Sequence, residues 1–122
     1  TLCLVLGCAK IGGSTDPITL QKTDEGAISF SGTLLPILQD HCKRCHGEDR
    51  KGDLYVMDYA GVMKGGKSGA FVVPGKPDES RFVTSVEMTK EPFMPPPCCF
   101  HALTEDRIAA IRAWIEQGAN EN

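Results

Sequence analysis

Two cysteines and a histidine near the middle of the chain have the spacing of a chemical site. Cys42 and Cys45 are separated by two residues, and His46 follows the second cysteine directly. On a tight turn, two thiols at this separation can form thioether bonds to the two vinyl groups of one porphyrin, and the next histidine then reaches the iron. The motif therefore predicts covalent attachment of one haem c.

Two other interpretations of this cysteine pair stay open in the sequence. A zinc half-site would need two more soft ligands, which Cys98, Cys99 and His101 offer. A thioredoxin-like redox pair would need a βαβ setting, and no alternating apolar pattern predicts the strands. The histidine immediately after the second cysteine, His46, favours haem attachment over both.

An iron held by His46 needs a sixth ligand, and Met94 is the favoured candidate. Three prolines follow Met94 directly. They stiffen the backbone, which reduces the entropy lost when a weak thioether ligand is fixed against the iron. Met88 and His101 are the alternatives, whereas His41 lies immediately beside the attachment motif and is disfavoured.

Length and composition place the motif in one folded domain. The 122 residues are 41% apolar and 24% charged, which is ordinary globular usage and excludes a disordered, collagen-like or coiled-coil chain. Thirteen basic and 16 acidic residues give a net charge of -3, so the chain is not expected to bind nucleic acid.

The sequence predicts short helices and long loops around the motif. An apolar helical face runs through residues 31–42 and ends at the motif, whereas residues 47–80 are rich in glycine and proline and predict loops with one helical turn. A further short helix is predicted over 80–88, with Asp78 or Ser80 as its cap.

The last helix has the clearest pattern. Thr104 is the predicted N-cap, acidic residues occupy the first turn, and Gly118 provides the stop. Ile111 and Trp114 lie on its apolar face.

The N-terminal residues predict a location outside the cytoplasm. Residues 1–9 are apolar but too short to span a bilayer, and Val5-Leu6-Gly7-Cys8 resembles a lipobox, which would make Cys8 a lipidated anchor. A clipped ordinary signal peptide, or an apolar terminus packed on a partner, is the alternative. Residues 10–29 are predicted to be a linker arm, and 30–120 a single domain.

Several segments beyond the motif occur in a characteristic order. They are Pro36-Ile37-Leu38, Cys42 to Gly47, Gly52-Asp53-Leu54, Val73 to Ser80, Met94-Pro95-Pro96 and Leu103 to Ala119. Together they resemble a class I cytochrome c, and more narrowly a planctomycete-type cytochrome c domain, over about residues 30 to 119.

The resemblance implies a compact all-α fold of three to five short helices, with long loops around one covalent haem. It implies His46 as proximal and Met94 as distal ligand, and it places a core around the haem that contains Leu38, Leu54, Phe82, Ile111 and Trp114. The helix before the motif should cross the Trp114 helix. We also expect the carbonyl of Pro74, or of a neighbour, to accept a hydrogen bond from the second nitrogen of His46.

Cys98 and Cys99 depart from the family pattern. An exported protein rarely carries idle thiols, so a disulfide between these two residues is one hypothesis. Bridges to Cys3 or to another chain, and plain reduced thiols, remain the alternatives.

The functional hypothesis is an electron carrier in the periplasm, or more generally outside the cytoplasm, and not an enzyme. It would be tethered to the membrane or form a subunit of a respiratory or photosynthetic complex, with redox proteins as partners. Neither an acid/base pair nor a phosphate-binding loop is evident in the sequence. The alternative is a haem protein with an open distal site that binds small ligands or reacts with peroxide, and a third hypothesis gives the main role to disulfide chemistry at Cys98 and Cys99.

A group of basic residues offers a docking surface in this hypothesis. We name as the basic rim the residues Arg44, Lys64, Lys67, Lys76 and Lys90. Such a rim would bind an acidic partner weakly and in a salt-dependent manner, and a solvated face with no docking role is the alternative.

Overall fold

The computed structural model describes residues 13–98 and 100–122, and the regular structure in these ranges is helical. The α-helices are α1 Leu35–His41, α2 Lys43–His46, α3 Tyr59–Lys64, α4 Arg81–Val86 and α5 Glu105–Glu116. A π-helical turn at Phe30–Leu34 and 3-10 turns at Lys51–Asp53 and Pro77–Glu79 complete the set. Only isolated β-bridges accompany them in the described ranges, so the all-α prediction is confirmed.

The helix that leads into the motif begins differently from the prediction. Ser29 caps the π-helical turn by accepting a hydrogen bond from the backbone N–H of Gly32 at 3.0 Å. Pro36 then lies in the first turn of α1, where its missing N–H costs no helical hydrogen bond. The chain therefore reaches the motif as a tight turn followed by a seven-residue helix.

Trp114 forms the centre of the core. Its side chain is 1% exposed, and its ring centroid lies 5.4 Å from that of Phe30 and 6.4 Å from that of Tyr59. The indole N–H donates to the carbonyl of Asn120 at 2.9 Å, which satisfies its one polar group. The helix before the motif was predicted to cross the last helix. The observed contact with α5 is made by Phe30, in the π-helical turn that precedes α1.

Thr104 is the N-cap residue of α5, as predicted, but its side chain makes no capping hydrogen bond. Thr104 makes no hydrogen bond to a backbone amide, and its hydroxyl donates to Asp106 instead. The Asp106 carboxylate accepts from the backbone N–H of Arg107 at 2.9 Å and of Ile18 at 3.0 Å. Beyond the helix, Gly118 takes a positive φ of 109° as the predicted stop.

The described part of the predicted linker arm, residues 13–29, is irregular and lies along the domain. In addition to the contact of Ile18 with Asp106, the backbone N–H of Ile28 donates to the Gln117 side chain at 2.8 Å. Ile28 itself is buried in the core. These contacts attach the arm to both ends of α5.

The arm begins beside the attachment motif. A Cβ at Gly13 would lie 2.0 Å from Nδ1 of His41, so only glycine fits against this ring. The next residue, Ser14, donates its backbone N–H to the Asp40 carboxylate at 2.7 Å. The His41 side chain is fully buried, and this burial lowers its pKa although Asp40 acts to raise it.

The predicted helix over 80–88 is observed as α4, which buries Phe82, Val83 and Val86. Ser80 precedes it, but its buried hydroxyl does not cap the helix. The hydroxyl instead accepts from the backbone N–H of Val73 and donates to the carbonyl of Lys76, both at 2.9 Å. Ser80 therefore closes the preceding loop and fixes the point at which α4 begins.

Candidate haem site

The CxxCH motif forms one compact turn. Cys42 separates α1 from α2, and its carbonyl accepts from the backbone N–H of His46 at 2.9 Å. The carbonyl of His46 in turn accepts from Val56 at 3.0 Å, which joins the turn to the following loop. Cys42, Cys45 and His46 all line a single cavity.

The cavity measures about 270 Å³ and its lining is mainly apolar. Beyond the motif, the uncharged side chains that line it come from the loops and from α4: Leu54, Val56, Ser68, Phe71, Phe82, Ser85, Val86, Pro92, Met94 and Pro96. Phe71 and Phe82 stack with centroids 4.6 Å apart. An apolar space of this kind beside two thiols and an imidazole suits a flat apolar ring.

A glycine turn forms part of the same wall. Gly52, Gly66 and Gly69 line the cavity, and the carbonyl of Gly52 accepts from the backbone N–H of Lys67 at 2.7 Å. A Cβ at Gly66 would lie 2.6 Å from that carbonyl, so a larger residue would push the turn away from the wall. The glycines therefore permit a close approach of two backbone segments.

Met94 lies in the cavity lining, as required of a distal ligand. Its backbone N–H donates to the carbonyl of Ser85 at 3.0 Å, which ties it to the end of α4. Among the described residues that line the cavity, neither Met88 nor His101 occurs, and His41 lines a separate surface hollow. Of the four candidates, the structure brings Met94 alone into the space next to His46.

The imidazole of His46 has a pKa below the usual histidine value. Burial lowers its pKa, while backbone groups of Leu54 and Lys51 act in the opposite direction. Its Nδ1 is buried without a hydrogen bond of ordinary geometry, although these backbone groups are near enough to affect its pKa. A neutral imidazole is the form that binds a metal ion.

Pro74 lies elsewhere than the expected position near His46. It is exposed and outside the cavity lining, and its neighbour Gly75 donates its backbone N–H to Ile115 of α5 at 2.8 Å. The structure thus places the backbone of Lys51 and Leu54, and not Pro74, around the imidazole.

The Cys42 thiol has the opposite character to a reactive cysteine. Burial, with smaller effects from Cys45 and Asp40, raises its pKa to about 12. Redox-active and metal-binding cysteines instead have lowered pKa values, because the thiolate is the reactive form. Within residues 13–98 and 100–122, no group of three or more His, Cys, Asp or Glu side chains could hold a metal ion. The raised pKa of Cys42 therefore disfavours the thioredoxin-like alternative, in which the attacking cysteine must be a thiolate. The zinc alternative also depends on Cys99, which lies outside the described residues.

The remaining predicted residues are only partly within the described chain. Cys3, Cys8 and Cys99 lie outside the described residues, and Cys98 is exposed. The predicted lipidation and disulfide therefore stay predictions. Leu54 and Phe82 line the cavity as expected, whereas Leu38, Ile111 and Trp114 are buried in the core without lining it.

Two cationic residues in the lining were not predicted. Lys51 and Arg81 both border the cavity, and none of the residues of the basic rim does. Lys51 belongs to a single 3-10 turn and Arg81 begins a six-residue helix, so neither belongs to a periodic pattern. The position of Arg81 directly after the Val73 to Ser80 segment was the only available signal.

A CxxCH turn, a half-buried imidazole and a methionine on one apolar cavity are the arrangement that a c-type cytochrome domain requires. The family model of planctomycete cytochrome C matches residues 42–97, from the first attachment cysteine to the last of the three prolines. The match covers just under half of the chain and supports the resemblance to a planctomycete-type cytochrome c domain. No curated protein and no solved structure matches the chain significantly.

Proposed function

We propose that the protein is a monohaem c-type cytochrome that carries single electrons outside the cytoplasm. The observation that carries this proposal is the cavity that holds Cys42, Cys45, His46 and Met94 together. The family match to residues 42–97 supports a haem-binding electron-transfer role.

Each of the four residues has a distinct part in the proposal. Cys42 and Cys45 hold the haem through thioether bonds, and His46 and Met94 bind its iron. The haem supplies an iron that gains and loses one electron. Phe71, with the other apolar side chains of the lining, keeps water away from the iron.

The test of this proposal is the visible spectrum of the purified full chain. We expect one haem per chain, a weak far-red band from a bond between sulfur and ferric iron, and no binding of carbon monoxide by the reduced protein. Met94→Leu should abolish the band and admit carbon monoxide, because a leucine of similar volume cannot bind iron. Met88→Leu is the matched control, since Met88 lies outside the cavity lining.

Other outcomes would contradict the proposal in identifiable ways. A wild-type protein without covalent haem would refute haem attachment. A wild-type protein that lacks the band and binds carbon monoxide readily would have an open distal site, which favours the ligand-binding or peroxidase-like alternative. Loss of the band in Met88→Leu and not in Met94→Leu would assign the ligand to Met88.

Attachment to a membrane through a lipid on Cys8 is a second part of the proposal. No helix in the described ranges is long and apolar enough to cross a membrane. If the lipid is the anchor, the full-length protein should fractionate with membranes and Cys8→Ser should be released. Equal membrane association of both proteins would contradict the lipid anchor.

A further inference from the structure

The cavity contains an imbalance of charge. The charged side chains in its lining, His46 aside, are those of Lys51 and Arg81, and both are cationic. No aspartate or glutamate within residues 13–98 and 100–122 lines it, although the whole chain carries more acidic than basic residues. An apolar cavity with two positive charges and no negative one is suited to a ligand that brings negative charge.

Arg81 is half-buried and differs from the other arginines of the chain. Within the described ranges its guanidinium makes no hydrogen bond, ion pair or aromatic contact. The other four all have partners: Arg44 on the ring of Phe100, Arg50 on the ring of Tyr55, Arg107 with Asp16 and Thr104, and Arg112 with Glu87 and Asp78.

The carboxylates nearest to Arg81 do not neutralise it. Asp78, Glu79 and Glu91 share an adjacent surface hollow with Arg81. Among the described residues, the ion pairs of Asp78 and Glu79 are with Arg112 and Lys76, at 2.6 and 3.9 Å. The guanidinium, which stays charged at any relevant pH, is therefore available to an anion in the cavity.

We propose that Arg81 and Lys51 are the counter-charges of the two carboxylates of the haem. This inference rests on the proposed haem binding and adds the orientation of the ring, because the edge that bears the carboxylates must face these two cations. The number of cations in the lining equals the number of haem carboxylates. Arg81 is the stronger partner, since its planar fork can bind a carboxylate through two hydrogen bonds whereas the flexible Lys51 acts as a point charge.

The charge pairing predicts an effect on the haem itself. A cation beside a carboxylate lowers the pKa of that carboxylate, so both haem carboxylates should stay ionised well into the acid range. Their negative charge favours the ferric state. Protonation of either carboxylate therefore raises the reduction potential, and the pH at which this rise begins reports the pairing.

The experiment measures the reduction potential of the covalently loaded protein against pH, together with the infrared band of the protonated carboxylic acid. The variants are Arg81→Gln, Lys51→Gln and Arg81→Lys. Arg50→Gln is the matched control, because it removes a neighbouring guanidinium that lies over the Tyr55 ring and outside the cavity lining.

We expect Arg81→Gln to move the onset of the rise, and of the infrared band, upward by about one to three pH units. Lys51→Gln should give a smaller shift in the same direction. Arg81→Lys should return the profile toward that of the wild type, and Arg50→Gln should leave it unchanged.

Three results would overturn the inference. If Arg81→Gln and Lys51→Gln both keep haem and titrate like the wild type, the carboxylates have other partners while the proposed function stands. If Arg81→Gln loses haem and Arg81→Lys does not recover it, the residue is needed for its shape and not for its charge. If the wild type itself carries no haem, the proposed function fails and this inference with it.

Discussion

The buried hydroxyl of Ser80 permits a worked prediction of stability. Ser80 is 0% exposed and makes two hydrogen bonds of 2.9 Å, one from the N–H of Val73 and one to the carbonyl of Lys76. Ser80→Ala would leave both backbone groups without this partner. An unsatisfied buried donor costs about 1–3 kcal/mol, while the carbonyl of the exposed Lys76 can turn to water and costs about 0.5–1 kcal/mol. The expected loss of unfolding free energy is therefore about 1.5–4 kcal/mol.

The assay is urea unfolding of the haem-loaded protein, followed by circular dichroism and by haem absorbance. With a slope of about 2 kcal/mol per molar urea, in the middle of the usual range, the midpoint should fall by roughly 0.8–2 M at an unchanged slope. Ser31→Ala is the control, because Ser31 is exposed. A midpoint for Ser80→Ala within about 0.3 M of the wild type would refute the reasoning that this loop depends on the hydroxyl.

Three further predictions concern the pH response, the cavity wall and the basic rim. Asp106 has a lowered pKa, mainly because its carboxylate accepts a hydrogen bond from the Thr104 hydroxyl. Its stabilising effect is therefore present above the usual aspartate pKa of about 4 and is lost as pH falls through the lowered value. In urea unfolding at a series of pH values, Asp106→Asn should reduce this loss of stability in acid. Gly66→Ala should destabilise the protein by about 1–3 kcal/mol in urea unfolding, because its Cβ would meet the Gly52 carbonyl at 2.6 Å. Changing Lys64 and Lys67 to Glu should slow electron transfer to an acidic partner and reduce its salt dependence in stopped-flow measurements.

Each of these predictions has a control that can contradict it. If Asp106→Asn and Asp78→Asn lose unfolding free energy to the same extent as pH falls, Asp106 has no special part in the acid response. An unfolding midpoint of Gly66→Ala equal to that of the wild type would exclude the steric explanation. Gly26→Ala meets no atom within 4 Å and reports only the backbone cost of a side chain at a φ of 86°, about 1–2 kcal/mol. Changing Lys10 and Lys22 to Glu controls for net charge, because neither belongs to the basic rim. An equal effect on the rate would remove the docking role of the rim.

The sequence could predict the features that depend on local chemistry. The CxxCH motif lies within a single turn, so Cys42, Cys45 and His46 were predictable from spacing alone. Met94 was favoured because a proline-rich loop restricts its backbone, and it lines the same cavity as the motif. Its role as an iron ligand stays a prediction. The last helix was predictable from its apolar period, and its ends at Glu105 and Glu116 lie close to those expected.

The remaining features depend on contacts between distant segments. Lys51 and Arg81 line the same cavity because the loops between the helices bring distant segments together. Hydrophobic periodicity in the sequence does not identify residues of this kind. Thr104 was expected to cap α5 with its hydroxyl, but the carboxylate of Asp106 accepts from the Arg107 amide in its place. Pro74 was expected near the imidazole, yet the backbone contact of its loop with α5 holds it elsewhere.

The attachment of the arm limits how freely the domain could move on a membrane. Gly13 packs against His41, the residue that precedes Cys42 in the sequence. The arm is therefore fixed to the domain from Gly13 onward. Four residues separate Cys8 from Gly13, and a fully extended chain of this length reaches about 18 Å at most. A lipid on Cys8 would therefore hold the CxxCH turn close to the bilayer surface. The proposed electron exchange would then be confined to partners at the same membrane.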